Sequence, residues 1–153
     1  MRHQRVMKKF GRSTAHRKAL MKSLVTNLIL AESIQTTLPK AKEARKDAEK
    51  MVTIARKGLA AAANKKPEGL LAARRLAASR LQQPKAVKKL FDKIAPAMKG
   101  RNGGYTRIIK LDARKGDGAP MCILQWVTTP EVKAPAAEAT ADGASAPAAE
   151  EAK

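Results

Sequence analysis

Apolar positions recur every three or four residues through four stretches of the chain, a spacing typical of amphipathic α-helices. In the first stretch, Ser13 is a favourable N-cap, and the apolar residues from Leu20 to Ile29 form one stripe suited to burial. Residues 59–66 are rich in alanine and fit either an extension of the second helix or a linker. The predicted helices cover residues 13–31, 37–57, 68–81 and 84–95.

Proline and glycine mark the predicted ends of these helices. Pro39 falls in the first turn of the second helix, where a missing N–H costs nothing, and Gly58 falls at its C-terminal capping position. Pro84 starts the fourth helix. Pro96 is predicted to end that helix, because proline cannot continue the backbone hydrogen bonding.

Two β-rich runs follow the helices, at residues 105–111 and 121–128. A polar, glycine-containing loop joins them, which predicts an antiparallel hairpin. Residues 33–37 are partly β-branched and are predicted to form a brief edge strand. The predicted fold class is therefore α+β, with about four helices packed on a small antiparallel β-sheet.

The two ends of the chain lack any such pattern. Residues 1–12 are basic without periodicity, and we expect an extended N-terminal arm. Residues 130–153 are mostly Ala, Pro and Glu, with almost no branched apolar side chain, so we expect a disordered tail. Residues 13–129, between the arm and the tail, are predicted to form a single α+β domain.

Charge is distributed very unevenly along the chain. Residues 1–130 contain thirty Lys and Arg against eight Asp and Glu, a net charge of +22. Residues 131–153 contain two Lys against five Asp and Glu, a net charge of −3. A body with so many like charges repels itself, and a polyanion such as nucleic acid offsets that repulsion. The alternative is a solvated basic surface without a ligand.

Ser13 and His16 lie three residues apart on one predicted helix face, but this pair does not support catalysis. A nucleophilic serine needs a base oriented by a third group, usually a carboxylate, and the first acidic residue of the chain is Glu32. His3 and His16 likewise lack a nearby Cys, Asp or Glu that would complete a metal site. We therefore expect no enzymatic activity, no metal, no cofactor and no small-molecule substrate.

The single cysteine, Cys122, excludes an internal disulfide and lies in an apolar run, where we expect a small buried residue. No stretch reaches the roughly 18 apolar residues that span a bilayer. Residues 20–31 follow a basic N-terminus as in a signal peptide, but polar side chains interrupt them. We expect a cytoplasmic protein without a membrane partner.

The composition also indicates how nucleic acid would be bound. Aromatic residues make up only 3% of the chain, and Tyr105 is the only one flanked by basic, glycine-rich sequence. Proteins that read single strands stack bases on several aromatic side chains, so contacts to phosphates and to nucleic-acid shape are expected instead. Histone-like proteins that bind DNA without sequence preference share this composition and are the alternative.

Several separated motifs carry a family resemblance. They are Met1-Arg2-His3, Gly11-Arg12, Ala15-His16-Arg17, TTLPKAKE at 36–43, GGYTRI at 103–108, and Gly116-Asp117 with Ala119-Pro120-Met121. In this order they resemble bacterial large-subunit ribosomal protein seventeen over most of residues 1–129. The resemblance implies a structural constituent of the large ribosomal subunit, with an α+β domain that binds and stabilises large-subunit ribosomal RNA. It also implies neighbouring ribosomal proteins near the nascent-chain exit region, in the cytoplasmic ribosome.

Charge and resemblance together predict a set of sixteen RNA-binding side chains. Seven of them are arginines, whose planar guanidinium donates two parallel hydrogen bonds to phosphate. The predicted residues are Arg2, His3, Arg5, Lys8, Lys9, Arg12, His16, Arg17, Lys18, Lys22, Lys40, Lys42, Arg45, Arg101, Tyr105 and Arg107.

Overall fold

The computed structural model of the chain describes residues 8–64 and 66–127. The predicted α+β class, with four helices packed on a small antiparallel sheet, is confirmed in this part of the chain. The expected tail and the first seven residues of the expected arm lie outside the described residues. The elements are α1 (Thr14–Ala31), β1 (Ser33–Thr37), α2 (Leu38–Ala63), α3 (Pro67–Arg80), α4 (Pro84–Lys89), β2 (Thr106–Ala113) and β3 (Pro120–Trp126).

Helix α1 begins as the sequence predicts. Ser13 has an extended backbone, and its Oγ accepts a hydrogen bond from the backbone N–H of His16 at 3.4 Å. At the other end Glu32 adopts a left-handed conformation, with φ at 66°. Lys89 holds this end in place, because its Nζ lies 2.6 Å from Oε1 of Glu32 and donates to the carbonyl of Leu30 at 2.8 Å.

The three strands form a sheet in the order β1-β3-β2, and both pairings are antiparallel. The predicted edge strand and the predicted hairpin are therefore confirmed. Because side chains alternate across a strand, one face of the sheet carries Cys122, Leu124 and Trp126, all of them buried. This inner face supports the helices, and the indole Nε1 of Trp126 donates to the carbonyl of Leu28 in α1 at 3.1 Å.

Helix α2 extends to Ala63, so the predicted C-terminal cap at Gly58 is wrong. Gly58 is buried inside the helix, where α2 and α3 approach each other closely. A Cβ at Gly58 would lie 2.5 Å from the Cβ of Ala73, and a Cβ at Gly69 would lie 2.6 Å from that of Ala61. Both glycines are present because the two helix backbones leave no room for a side chain.

The prediction that Pro96 ends the fourth helix is also wrong. After α4 the chain continues as a π-helical segment, Leu90–Ile94, and then as a short helical turn, Ala95–Ala97. The π segment replaces the regular i→i+4 bonding just before the proline, so Pro96 removes no bond from a regular helix interior. The segment buries Leu90, Phe91 and Ile94 in the core.

Candidate nucleic-acid interface

Of the predicted arm, the structure describes two lysines and the turn that follows them. The predicted RNA-binding residues Arg2, His3 and Arg5 lie outside the described residues. Lys8 and Lys9 are exposed.

The turn that follows them connects the arm to the body. Phe10 and Gly11 both have positive φ, and Phe10 packs against the edge of the hydrophobic core. Arg12 folds back over this turn, since its Nη1 donates to the carbonyl of Phe10 at 2.7 Å. The last residues of the predicted arm therefore contact the body just before α1 begins.

Helices α1, α2 and α3 enclose a groove of about 570 Å³, which we call the α1 groove. Its rim carries four cationic side chains and a carboxylate, and its floor is apolar. The rim residues are Arg17, Lys18, Lys22, Arg80 and Asp47. The floor residues are Met21, Val25, Met51 and Leu81. The fold thus brings three predicted residues of α1 together with Arg80, which is distant in sequence.

Hydrogen bonds fix α1 against the end of α3 at this groove. Nζ of Lys22 donates to the carbonyl of Ser79 at 3.2 Å. The hydroxyl of Thr26 accepts from the backbone N–H of Gln82 at 3.4 Å. The Nε–H of Arg17, by contrast, is buried and has no acceptor among the described residues. A buried donor without an acceptor costs free energy, so Arg17 lowers the stability of the body at this point.

The exposed His16 and the predicted residues of α2 lie outside the α1 groove. Lys40 is half-buried and Lys42 is exposed, in the first turns of α2. Arg45 is exposed, but its Nε donates to Oε1 of Glu49 at 3.0 Å. These residues do not line the α1 groove, and Arg45 already has a carboxylate partner.

Residues 99–105 form a basic, glycine-rich loop that is held by Arg56 of α2, and we call it the Arg56 loop. The guanidinium of Arg56 donates to the carbonyl of Lys99 at 2.9 Å, to the hydroxyl of Tyr105 at 2.6 Å, and to the carbonyl of Arg101. The guanidinium carbon also lies 5.7 Å from the centre of the Tyr105 ring. One arginine therefore fixes both ends of the loop.

The predicted RNA-binding residue Tyr105 is only 2% exposed, so its ring offers no face for stacking on a base in this structure. The ring packs in the core, and its hydroxyl is bonded to Arg56. Arg101 is exposed on the loop, and its Nη1 donates to the carbonyl of Gly104 at 3.3 Å. Arg107 is exposed on the outer face of β2, opposite Gln125 of β3.

A second groove, of about 600 Å³, lies beside the Arg56 loop. Lys46 and Lys50 of α2 line it together with Asn102 and Arg80. Arg80 lines the α1 groove as well. The two grooves are therefore neighbours, and cations of α1, α2 and α3 border one continuous surface, which also includes the carboxylates of Asp47 and Glu49.

Sequence reasoning missed the roles of Arg56 and Arg80. Arg56 has no distinctive local signal, because its partners lie more than forty residues away in the chain. Arg80 is one of several arginines in α3, and only the packing of α3 against α1 selects it.

The tip of the β2–β3 hairpin contains an ion pair that is fully exposed. Nη2 of Arg114 donates to Oδ2 of Asp117 at 2.5 Å, and its Nε donates to Oδ1 at 3.0 Å. This pairing, together with the N–H of Ala119, lowers the pKa of Asp117 from its ordinary 3.8 to about 2. Asp117 therefore neutralises Arg114 at neutral pH, whereas Lys115 at the same tip has no carboxylate partner among the residues that the structure describes.

Other chemistry is weakly supported in residues 8–64 and 66–127. No group of three His, Cys, Asp or Glu side chains there is placed to hold a metal ion. Cys122 is buried, and this burial raises the pKa of its thiol, which disfavours the reactive thiolate. Within the same residues, no helix has both the length and the apolar character needed to cross a membrane.

A basic α+β body with adjoining cationic grooves is typical of proteins that bind a polyanion. Comparison with known proteins identifies the family. A sequence model of the family described as ribosomal protein L17 matches residues 20–127. The "Large ribosomal subunit protein bL17" of Maridesulfovibrio salexigens is 46% identical over 142 residues, which cover 92% of each chain. The chain belongs to the ribosomal protein L17 family, and the family predicted from the motifs is confirmed.

Membership makes the chain a structural ribosomal protein of the large subunit, part of the cytoplasmic bacterial ribosome. Between the two classes that the composition left open, the family match favours the ribosomal protein over the histone-like DNA-binding protein.

Proposed function

We propose that this protein binds and stabilises folded large-subunit ribosomal RNA through phosphate and shape contacts, without catalysing a reaction. The observation that carries this proposal is the continuous cationic surface on which Arg80 joins the α1 groove to the groove beside the Arg56 loop. Side chains on three rigid helices present charges in fixed positions, which suits a folded RNA of defined shape.

The buried position of Tyr105 strengthens the case for phosphate and shape contacts. Of the four aromatic rings in the described residues, those of Tyr105, Phe91 and Trp126 are buried, and that of Phe10 is half-buried against the core. Stacking of several successive bases on aromatic rings is therefore not available there. Residues 1–7 carry two further arginines and a histidine, which extend the same basic character.

The proposed partners follow from the resemblance of the motifs and from the family. They are large-subunit ribosomal RNA and the large-subunit proteins near the nascent-chain exit region. The relative bL17 is named as a protein of the large ribosomal subunit. We expect the present chain to sediment with that subunit.

The test combines ribosome fractionation with binding to isolated RNA. The protein should sediment with the large subunit, and contact with about 6–10 phosphates should weaken binding to an RNA transcript by about 10³–10⁵ between 50 and 200 mM salt. Equal affinity for arbitrary duplex DNA and for large-subunit RNA would contradict the proposal. A protein that stays in the soluble pool at every salt concentration would contradict it as well.

Three variants test the predicted binding residues and the arm. His16→Ala should cause a modest loss of RNA affinity, because His16 is exposed beside the α1 groove.

Removal of residues 1–9 should weaken incorporation into the subunit and leave the melting temperature unchanged, because the core contact of Phe10 is retained. Removal of residues 1–12 should lower the melting temperature slightly, since that contact is then lost.

A further inference from the structure

We propose that the groove beside the Arg56 loop, which we call the loop groove, is a docking site for the acidic segment at residues 131–153 of the same chain. Docked in this groove, the segment covers cations that RNA would otherwise contact, and RNA displaces it on binding. The docking uses only contacts within the chain, whereas the competition with RNA rests on the proposed function.

The loop groove is open to a ligand, because most of the side chains that line it are exposed. Its exposed cations are Lys46 and Lys50 of α2 and Arg80 of α3. Its apolar lining is accessible too, since Leu76 is 43% exposed and Ile54 is half-buried. A ligand that combines carboxylates with small apolar side chains matches both kinds of lining.

The carboxylate that lines the loop groove, Glu49, already has two partners. Its Oε1 accepts from Nε of Arg45 at 3.0 Å and from the hydroxyl of Thr106 at 3.0 Å. Lys50 and Arg80 have no carboxylate partner within residues 8–64 and 66–127. These two cations can therefore pair with carboxylates from another part of the chain.

The chain leaves the described body beside this groove. The N–H of Val127 donates to the carbonyl of Tyr105, which lines the groove, at 2.9 Å. Arg101 lies next to this point, since its Nη1 donates to the carbonyl of Gly104 at 3.3 Å. The first carboxylate of the segment, Glu131, comes four residues after Val127, a reach of at most about 14 Å. The segment therefore starts within reach of the groove.

The segment contains a repeated motif that suits the loop groove. The sequence APAAE occurs at residues 134–138 and again at residues 146–150. Each copy places a carboxylate after proline and alanine side chains, which lose almost no rotamer freedom when they are bound. The alanines can cover Leu76, while the carboxylate pairs with a cation of the groove. Two copies on one chain double the chance that the groove is filled.

Charge and attachment favour this segment over other occupants. It carries a net charge of −3, against +22 for residues 1–130, so the two attract each other. A second copy of the basic body would be repelled by the same charge. Attachment to the body also gives the segment an effective concentration on the order of millimolar, so that a weak contact is enough.

Zero-length carbodiimide crosslinking tests the docking in the full-length protein, because it joins a carboxylate to a lysine only where the two touch. Intramolecular crosslinks should join Glu138 or Glu150 to Lys46 and Lys50. They should disappear at about 1 M salt, where the Debye length falls to about 3 Å.

Lys115 is the internal control for these crosslinks. It is exposed beyond the far end of β2 from Tyr105, roughly 25 Å away, yet a segment of this length can reach it. Crosslinks to Lys115 as frequent as those to Lys46 and Lys50 would overturn the site.

Leu76→Ser tests the apolar part of the contact without changing any charge, and Leu71→Ser is its matched control. Leu71 lies on the same helix and is 51% exposed, but it does not line the loop groove. Leu76→Ser should reduce the crosslinked fraction by about two- to fivefold, because it removes apolar surface from the contact. Leu71→Ser should leave the fraction unchanged, and equal fractions in the two variants would overturn the part assigned to Leu76.

The competition with RNA is tested by removing the two motif carboxylates together, as Glu138→Gln with Glu150→Gln. Asp142→Asn with Glu151→Gln is the matched control, because it removes the same charge from the same segment outside the motif. Fluorescence anisotropy with a large-subunit RNA transcript measures affinity. The motif variant should bind about threefold more tightly than the control, as expected if the segment fills the groove about two-thirds of the time.

Equal affinities of the motif variant and its control would overturn the docking of the motif, since charge alone would then explain the effect of the segment. Crosslinks at the loop groove without any binding of large-subunit RNA would leave the docking in place and contradict the proposed function. Salt-dependent RNA binding without crosslinks at the loop groove would leave the proposed function in place and overturn the docking.

Discussion

In the α1 groove, the guanidinium of Arg17 has a buried Nε–H without an acceptor in the described chain. At the Arg56 loop, the guanidinium of Arg56 is occupied by two carbonyls and the hydroxyl of Tyr105. Both surfaces are basic, but the first leaves its arginine without a protein acceptor at Nε within the described residues, while the second uses its arginine to build the loop that contains the exposed Lys99 and Arg101. Net charge alone does not distinguish these two uses of arginine, whereas hydrogen-bond partners do.

The largest effect is expected from a change that separates α2 from α3, on whose packing the α1 groove depends. Gly58→Val places a side chain where a Cβ alone would lie 2.5 Å from that of Ala73. Overpacking of this kind typically costs about 1–3 kcal/mol, and we expect the upper end because the backbones themselves must move. Urea unfolding measures the loss.

Gly100→Ala is the matched control, because a Cβ at Gly100 meets no atom within 4 Å. Its free energy of unfolding should stay within about 0.5 kcal/mol of the unaltered protein. If Gly58→Val were as stable as Gly100→Ala, the close approach of the two helices would not be a structural requirement.

The second change acts on the Arg56 loop. Arg56→Met keeps an apolar stem and removes the donors that bind Lys99, Arg101 and Tyr105, so we expect a loss of about 1–3 kcal/mol. Amide hydrogen exchange across residues 99–105 should accelerate, while exchange in the strongly packed part of α1 should not. Arg56→Lys should recover little of this lost stability, because lysine keeps the charge but lacks the planar guanidinium that donates several hydrogen bonds at once.

Arg75→Met serves as the control for charge and side-chain volume. Arg75 is exposed on α3 and has no hydrogen bond or ion pair within the described residues. Arg75→Met should leave both the free energy of unfolding and the amide hydrogen exchange of residues 99–105 unchanged. A similar loss of stability in the two variants would mean that Arg56 acts through its charge alone.

A third change, at Arg80, separates an effect on RNA affinity from an effect on the free energy of unfolding. Arg80→Gln should leave the free energy of unfolding within about 0.5 kcal/mol, because Arg80 is exposed. It should reduce RNA affinity and lower the slope of log affinity against log salt by about one, as expected for one lost phosphate contact. An unchanged slope would show that Arg80 does not touch phosphate, although it borders both grooves.

The smallest effect is expected at the hairpin tip, where Asp117 pairs with Arg114. The pKa of Asp117 is lowered to about 2 in the folded protein, so the ionised carboxylate favours folding above its ordinary pKa of 3.8. That contribution is lost as the pH falls through about 2. Carboxyl NMR titration should show this pKa, and Arg114→Gln should raise it towards 3.8. Stability at pH 7 should hardly change, because the pair is fully exposed.

Much of the fold could be predicted because its helices and strands have simple periodicities. The stripe of α1 and its cap at Ser13 follow from local sequence, and so do the two β-rich runs. Gly58 was misassigned because a glycine required for close helix packing looks, in sequence, like a glycine that ends a helix. Pro96 was misassigned because a π-helical segment has no sequence pattern that periodicity detects.

The candidate site was predicted in part, for a related reason. The cations of α1 are neighbours in sequence and share one helix face, so Arg17, Lys18 and Lys22 were found together. Arg80 joins them only through tertiary packing, and Arg56 acts on a loop more than forty residues away. Tyr105 was assigned to RNA from its basic neighbours, but burial depends on what packs over a ring, and its flanking residues do not report this.

The glycines of α2 and α3 have a consequence for how this hairpin of helices tolerates change. Gly58 faces Ala73, and Gly69 faces Ala61, so each helix contributes one glycine and one alanine to a crosswise arrangement. The space at each crossing holds one methyl group, whichever helix supplies it. A damaging Gly58→Ala change should therefore be repaired by Ala73→Gly, so that the two positions behave as a single exchangeable unit rather than as two independent sites.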